Sequence, residues 1–185
     1  MAGREWVSPE VWYASLSTAY AATGGLITNA ADRILLVKPN YRPFWLFPGG
    51  ALDAGEFPHE GCAREIREEL GVNLRVGSLL VVDWVPARDD RPRPLMYFLF
   101  DCGVLDEDRI SLQRDELDEY RFVSVEDGLT MVDRAAAPRL TAALRARRSG
   151  HAEYLPAPVL DDDAPPGRRR SPAADPSRTG DHPAT

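Results

Sequence analysis

Between Pro58 and Leu70 the chain spells a helix with three distinct faces, and that helix constrains everything around it. At about 100° per residue, Glu65, Glu68 and Glu69 fall within a ~100° arc. Cys62, Ala63, Ile66 and Leu70 form a separate apolar arc suited to packing on a sheet, while Glu60, Arg64 and Arg67 take the outer side. The ends are marked as well. Pro58 suits the first helical position, Glu60 sits in the first turn at the positive end of the dipole, and Gly71 supplies a left-handed cap. Phe57, at the N-cap, has no side-chain oxygen to offer, so this start is weaker by about 1 kcal/mol than a Ser or Asp would make it.

Three like charges on one helix face repel each other and raise each other's pKa unless a cation lies between them. A hard divalent ion resolves the conflict. Magnesium takes carboxylate oxygens yet keeps room for water and substrate phosphates, which suits a phosphate-cleaving site.

Around the helix the chain reads as alternating strands and turns. Residues 26–28 and 33–38 read as strands about a turn at 29–32, and 44–47 as a short extended segment leading to the helix. Strand-rich runs follow at 74–85 and 95–102, separated by a proline-rich loop at 86–94, with further strands expected near Ile110 and at 120–123. A helical pattern interrupted by Pro138 then runs on to about Arg148. Strands first and last with helices between and after suggest a mixed sheet held between helices.

The 50–72 segment resembles the Nudix box: a glycine, five residues, a glutamate, seven residues, then Arg-Glu-aliphatic-any-Glu-Glu-any-Gly-aliphatic. Gly50, Glu56, Arg64, Glu65, Ile66, Glu68, Glu69, Gly71 and Val72 meet every fixed position, and Pro48 and Gly49 resemble the usual approach to it. The resemblance implies a Nudix-type α/β/α sandwich with a mixed sheet between helices. It implies that Glu65, Glu68 and Glu69 ligate divalent ions (Mg2+, with Mn2+ the alternative), the Gly49 carbonyl adding an oxygen. Glu56 and Arg64 would hold those ligands in place through forked hydrogen bonds, and Glu65 would take the proton of the attacking water.

The activity implied is hydrolysis of a phosphoanhydride in a nucleoside diphosphate linked to another moiety, ADP-ribose first, or in a related nucleotide. Two alternatives stand beside it. One is a Nudix-fold protein that senses a nucleotide without turnover. The other is an enzyme acting on capped RNA, dinucleoside polyphosphates, or isoprenoid or sugar diphosphates.

Outside the box, Trp45, Phe47, Trp84 and Tyr97 either stack on a base or pack in the core. Arg42 and the loop arginines Arg88, Arg91 and Arg93 are candidates for phosphate contacts, against simple solvation. Glu116 and Glu119 would add a metal ligand or base, or belong to a solvated acidic loop. A net charge of -7 speaks against a general nucleic-acid binder, so the expected partner is a phosphorylated small molecule.

Two cysteines, Cys62 and Cys102, and no charged segment followed by a long apolar stretch suggest a reduced, cytoplasmic protein. No apolar run reaches the ~20 residues of a membrane helix. Residues 1–18 form an extension with a short helix starting near Ser8 and Pro9. Its aromatic residues should pack on the domain or on a second subunit, which favours a homodimer. The domain is expected to span 19–148, and 149–185, rich in Pro, Asp and Arg, to be a disordered tail.

Overall fold

Strand β1 (Tyr20–Thr28) is buried from Thr23 to its end, which requires neighbours on both edges and cover on both faces. It has them. In this computed structural model, which describes residues 6–134 and 136–156, six strands form one sheet. The other strands are β2 (Ile34–Pro39), β3 (Leu79–Val85), β4 (Leu95–Val104), β5 (Leu117–Val123) and β6 (Glu153–Pro156), in the order β5-β2-β1-β4-β3-β6. β1 runs parallel to β4, and β3 parallel to β6; the remaining pairs are antiparallel.

The two-residue alternation of β1 and β2 divides the core between the faces. Leu26, Ile34 and Leu36 meet Leu140, Ala143 and Ala146 of helix α4 (Ala137–Ser149) on one side. Ile27, Leu35 and Val37 meet Cys62, Ile66 and Leu70 of helix α2 (Pro58–Leu70) on the other. The result is the expected α/β/α sandwich, with the short helix α3 (Val125–Met131) beside α4. Arg147 ties α4 to the sheet, donating to Asp101 Oδ2 (2.9 Å), Asp101 Oδ1 (2.6 Å) and the Leu26 carbonyl (2.9 Å).

α2 begins and ends where its sequence places it. Glu60 accepts from the Phe57 amide (3.3 Å), and Gly71 closes the helix at φ 68°. The residues after β4 differ from expectation. Instead of a strand near Ile110, a 3-10 turn (Glu107–Arg109) precedes a segment that caps α2, Ser111 and Gln113 donating to the carbonyls of Leu70 (2.8 Å) and Glu69 (2.9 Å). Helix ends need such partners, and this segment's backbone is used there instead of in a ladder. β3 likewise starts at Leu79, later than position 74. Pro138 lies in the first turn of α4, separating it from α3.

Helix α1 (Pro9–Ala14) starts at Ser8, whose hydroxyl accepts from the Val11 amide, and it buries none of its residues. Trp12 and Tyr13 are therefore exposed, their rings edge to face at 4.8 Å. His59 is also exposed, stacked on Phe57 at 5.9 Å. β6 lies inside the 149–185 stretch expected to lack structure. Four residues are too few to show a period, but β6 pairs with β3 and Arg145 grips Glu153. The rest of that stretch, from 157 on, with its arginine run, is outside the described residues. Among the described residues no helix is long and apolar enough to cross a membrane.

Candidate metal and substrate site

The approach to α2 is pinned against β1 by two backbone hydrogen bonds, from Gly25 to the Pro48 carbonyl and from Thr23 to the Gly50 carbonyl, each 2.9 Å. Between them Gly49 adopts φ 142°, and a Cβ there would stand 2.2 Å from the Thr23 carbonyl oxygen. Only glycine fits. Its amide donates to Glu69 Oε2 at 2.8 Å, and the position of a Gly50 Cβ lies 2.5 Å from Glu65 Oε1. The two glycines let the backbone close on two carboxylates of α2.

Arg64 organises the outer part of the cluster. Its Nε and Nη2 fork onto Glu56 (2.9 and 3.0 Å), Nη1 donates to Glu65 (2.9 Å) and Glu68 (3.0 Å), and Nη2 also reaches the Ala51 carbonyl (3.0 Å). Asp53 lies 3.7 Å from Nε. Bidentate arginine contacts of this kind fix carboxylate rotamers. The Arg64 hydrogen bond holds Glu56 below the usual carboxylate range, and Glu56 in return accepts from the Asp53 amide at 3.0 Å.

The inner carboxylates behave oppositely. Burial raises Glu65, against the pull of Arg64, and the charges of Glu68 and Glu116 add to the rise. Burial pushes Glu69 up to about 8, the Gly49 amide opposing it and Glu65, Glu116 and Glu68 reinforcing it. Glu116 thus belongs to the same negative field as the helix carboxylates. Four mutually repelling carboxylates with one arginine fit a hard divalent cation, which Glu65, Glu68, Glu69 and the Gly49 carbonyl would hold. Among the described residues no three acidic, histidine or cysteine side chains are drawn tightly enough together to enclose an ion; Arg64 holds one oxygen each of Glu65 and Glu68.

Other expected residues separate from this cluster. Glu119 is paired with Arg121 (2.6 Å) in an exposed contact, and the Arg121 guanidinium covers the Trp45 ring at 5.0 Å. Trp45 packs against the α4-side core, Phe47 is within it, and Trp84 sits on β3 opposite Met96 and Pro156. Arg42 and Arg88 do come together, on the wall of a cavity of about 290 Å3 that they share with Phe44, Leu46, Arg91 and Arg139.

Arg139 escapes sequence reasoning. Its Nε donates to Asp83 Oδ2 at 2.6 Å, and its guanidinium lies 4.3 Å over the Tyr97 ring. Asp83 is almost wholly buried, and its other oxygen has no partner. Tyr97 in turn fits only because residue 24 is glycine, since a Cβ there would stand 2.1 Å from its hydroxyl. Residues 56 apart, on a strand and a helix, leave no periodic trace of such a pair. Burial pushes the Tyr97 hydroxyl well above its usual pKa, so it stays neutral.

This geometry accords with comparisons to known proteins. A family model described as NUDIX domain matches residues 19–144. The human diphosphoinositol polyphosphate phosphohydrolase 3-alpha is 31% identical over 127 residues, 67% of each chain. The MutT protein of Methanosarcina mazei Go1 is similar in structure, with TM-score 0.61 and 26% identity over 72% of this chain and 99% of that one. An ADP-ribose pyrophosphatase from Streptococcus suis 89-1591 gives TM-score 0.56 and 25% identity over 75% and 99%. The chain belongs to the Nudix hydrolases, a family of pyrophosphohydrolases acting on phosphorylated small molecules.

Proposed function

We propose that the protein hydrolyses a phosphoanhydride in an organic diphosphate, using a divalent cation held by Glu65, Glu68, Glu69 and the Gly49 carbonyl. The observation that carries this reading is Glu69: a nearly buried carboxylate anchored by a backbone amide and surrounded by three further carboxylates. Such a group costs stability unless a cation joins it. When bound, the ion supplies neutralisation of phosphate charge and a more acidic water. Glu65 is the proton acceptor, its burial making it a better base than an exposed carboxylate. Arg64 holds Glu65, Glu68 and Glu56 in register, and Arg42 and Arg88 orient the substrate from the cavity.

The substrate read from the sequence is a nucleoside diphosphate linked to another group. The name of the Streptococcus suis relative supports it. A second reading, a diphosphate on a more heavily phosphorylated molecule, is favoured by the human relative that aligns over 67% of the chain. A sensor without turnover is disfavoured by the complete carboxylate set. The decisive experiment incubates both classes of diphosphate with magnesium and with chelator, resolving products by mass. Magnesium-dependent cleavage supports the reading; binding with no product from any compound overturns it.

The exposed aromatic residues of α1 support a homodimer, which light scattering of the full chain would test. The buried free thiols of Cys62 and Cys102, 3.8 Å apart, support a cytoplasmic setting.

A further inference from the structure

Two glycines in succession, Gly24 and Gly25, sit in the buried part of β1, where glycine forfeits packing and marks a close approach. Alternation turns them to opposite faces. On the α2 face a Cβ at Gly25 would stand 2.8 Å from Cys102 Sγ and 2.9 Å from Ile66 Cδ1, so the carboxylate helix rests directly on the strand. On the α4 face the Tyr97 hydroxyl occupies the place of a Gly24 Cβ, 2.1 Å from it, with the Pro48 carbonyl oxygen 3.2 Å from the same point.

Tyr97 belongs to β4, the neighbour of β1 on one edge, where it pairs with Ala22. The other edge of β1 carries the approach to α2, laid alongside like a short strand. Gly25 donates to the Pro48 carbonyl (2.9 Å), Thr23 to that of Gly50 (2.9 Å), and Leu52 to that of Ala21 (3.1 Å). The phenol thus crosses β1 at its barest point, and its tip ends beside the corner at 48–50. Gly49 closes that corner, its own Cβ position lying 2.6 Å from Gly24 Cα.

The ring is also held from above. Its cross-strand neighbour Asp83 accepts from Arg139 Nε (2.6 Å), and the Arg139 guanidinium lies 4.3 Å from the ring centroid. Asp83 is 2% exposed, so water screens this clamp little, and a cation over an aromatic face gains strength when desolvated. The corner beyond the phenol carries the Gly49 amide, which donates to Glu69 Oε2 at 2.8 Å, and the Gly49 carbonyl. A displacement of about 1 Å there is enough to spoil a site built on fixed geometry.

We propose that Tyr97 is a positioning residue: clamped by Arg139 and Asp83 and wedged over Gly24, it fixes the height of the 48–50 corner, and with it the Gly49 groups and Glu69 that hold the divalent cation. The cation comes from the hydrolase reading; the chain of contacts from Asp83 to Gly49 stands without it.

The contact is tested by exchanging its atoms. Gly24→Ala drives a Cβ into the hydroxyl, Tyr97→Phe removes the hydroxyl, and the double variant puts a methyl group where the oxygen was. Manganese alone is titrated into each full chain by calorimetry. Gly24→Ala should weaken binding about tenfold, the scale for losing a supporting partner of a metal ligand, and the double variant should recover to within about threefold of the parent. In chelator, hydrogen exchange of the Gly49 amide should quicken in Gly24→Ala and slow again in the double variant, while the Ser111 amide at the far end of α2 keeps its rate. Val123→Ala, which removes buried carbon from the same core at β5, should lower the melting temperature and leave manganese binding within about twofold. Val123→Ala weakening manganese as much as Gly24→Ala, or a double variant that binds no better than Gly24→Ala alone, overturns the positioning role. Should Gly24→Ala fail to fold, Tyr97→Leu withdraws the ring and should weaken manganese about tenfold by itself, and binding within about twofold of the parent overturns the role equally. A parent that binds no manganese sinks the hydrolase reading, and the Gly49 amide in chelator then decides the positioning on its own.

Discussion

The carboxylate cluster and the arginine cavity share the 42–50 segment but are assembled in opposite ways. The cluster comes mostly from one helix, its members three and four residues apart, and it is knit together by a single arginine. The cavity draws on a pre-helix loop, a strand, a hairpin loop and a second helix. In the first, backbone geometry alone sets the spacing of the charges; in the second, only the tertiary fold does. The cluster is therefore robust to change elsewhere in the chain, whereas the cavity depends on how α4 sits against β3.

The difference can be broken experimentally from either side. The largest effect is expected inside the cluster: Glu69→Gln should lower kcat with magnesium on the order of a hundredfold or more, exceeding what the loss of a supporting partner costs. A kcat within about tenfold of the parent would remove Glu69 from the site. On the cavity side, Asp83→Ala strands Arg139 with little solvent and should cost about 3 kcal/mol in denaturant unfolding, the scale for breaking a buried ion pair. A loss well below about 1 kcal/mol would mean that water screens the pair. Next, Arg64→Lys keeps the charge but loses the fork, and a fall of about tenfold in kcat, or a rise of about tenfold in the magnesium concentration needed, is expected. An unchanged metal requirement would show that the fork is dispensable.

The remaining effect is a slope. Glu69 in the folded, metal-free protein titrates near 8, above its usual 4.5, so between these values the folded chain keeps a proton that the unfolded chain has released. Its contribution to stability is present below about 4.5 and is lost as pH rises through 8. Melting temperatures of the metal-free protein should fall across that window, Glu69→Gln should flatten the fall, and magnesium, which favours the ionised form, should offset it. Identical profiles for parent and Glu69→Gln would place the group in water.

The same contrast explains what could be read before any coordinates. Glu65, Glu68 and Glu69 share one face of α2 as their spacing implied, because i, i+3 and i+4 positions on a helix are neighbours whatever the rest of the chain does, whereas Arg64, placed by the wheel on the outer side, and Glu56, which precedes the helix, were tied to them only by the resemblance. The 33–38 run was legible as a strand, and β2 occupies Ile34–Pro39. Glu116 and Glu119 were indistinguishable in sequence, and the fold separates them: the charge of Glu116 acts on Glu65 and Glu69, while Glu119 pairs with Arg121. Arg139 was invisible because its meaning depends on Asp83, a residue on another element. Trp45 packs against the α4-side core beneath Arg121, and Trp84 is half-buried on β3, placements that depend on neighbours from other elements.

β6 has a practical consequence for anyone shortening this chain. Cutting at Arg148 to crop a seemingly featureless tail would remove the strand that pairs with β3 from Val81 to Trp84. That would bare a row of unsatisfied main-chain amides and carbonyls, a template onto which another molecule can zip. The register includes Asp83, so fraying there would loosen the partner of Arg139 as well. Shortened versions should keep at least Pro156, or self-association will be mistaken for a property of the domain.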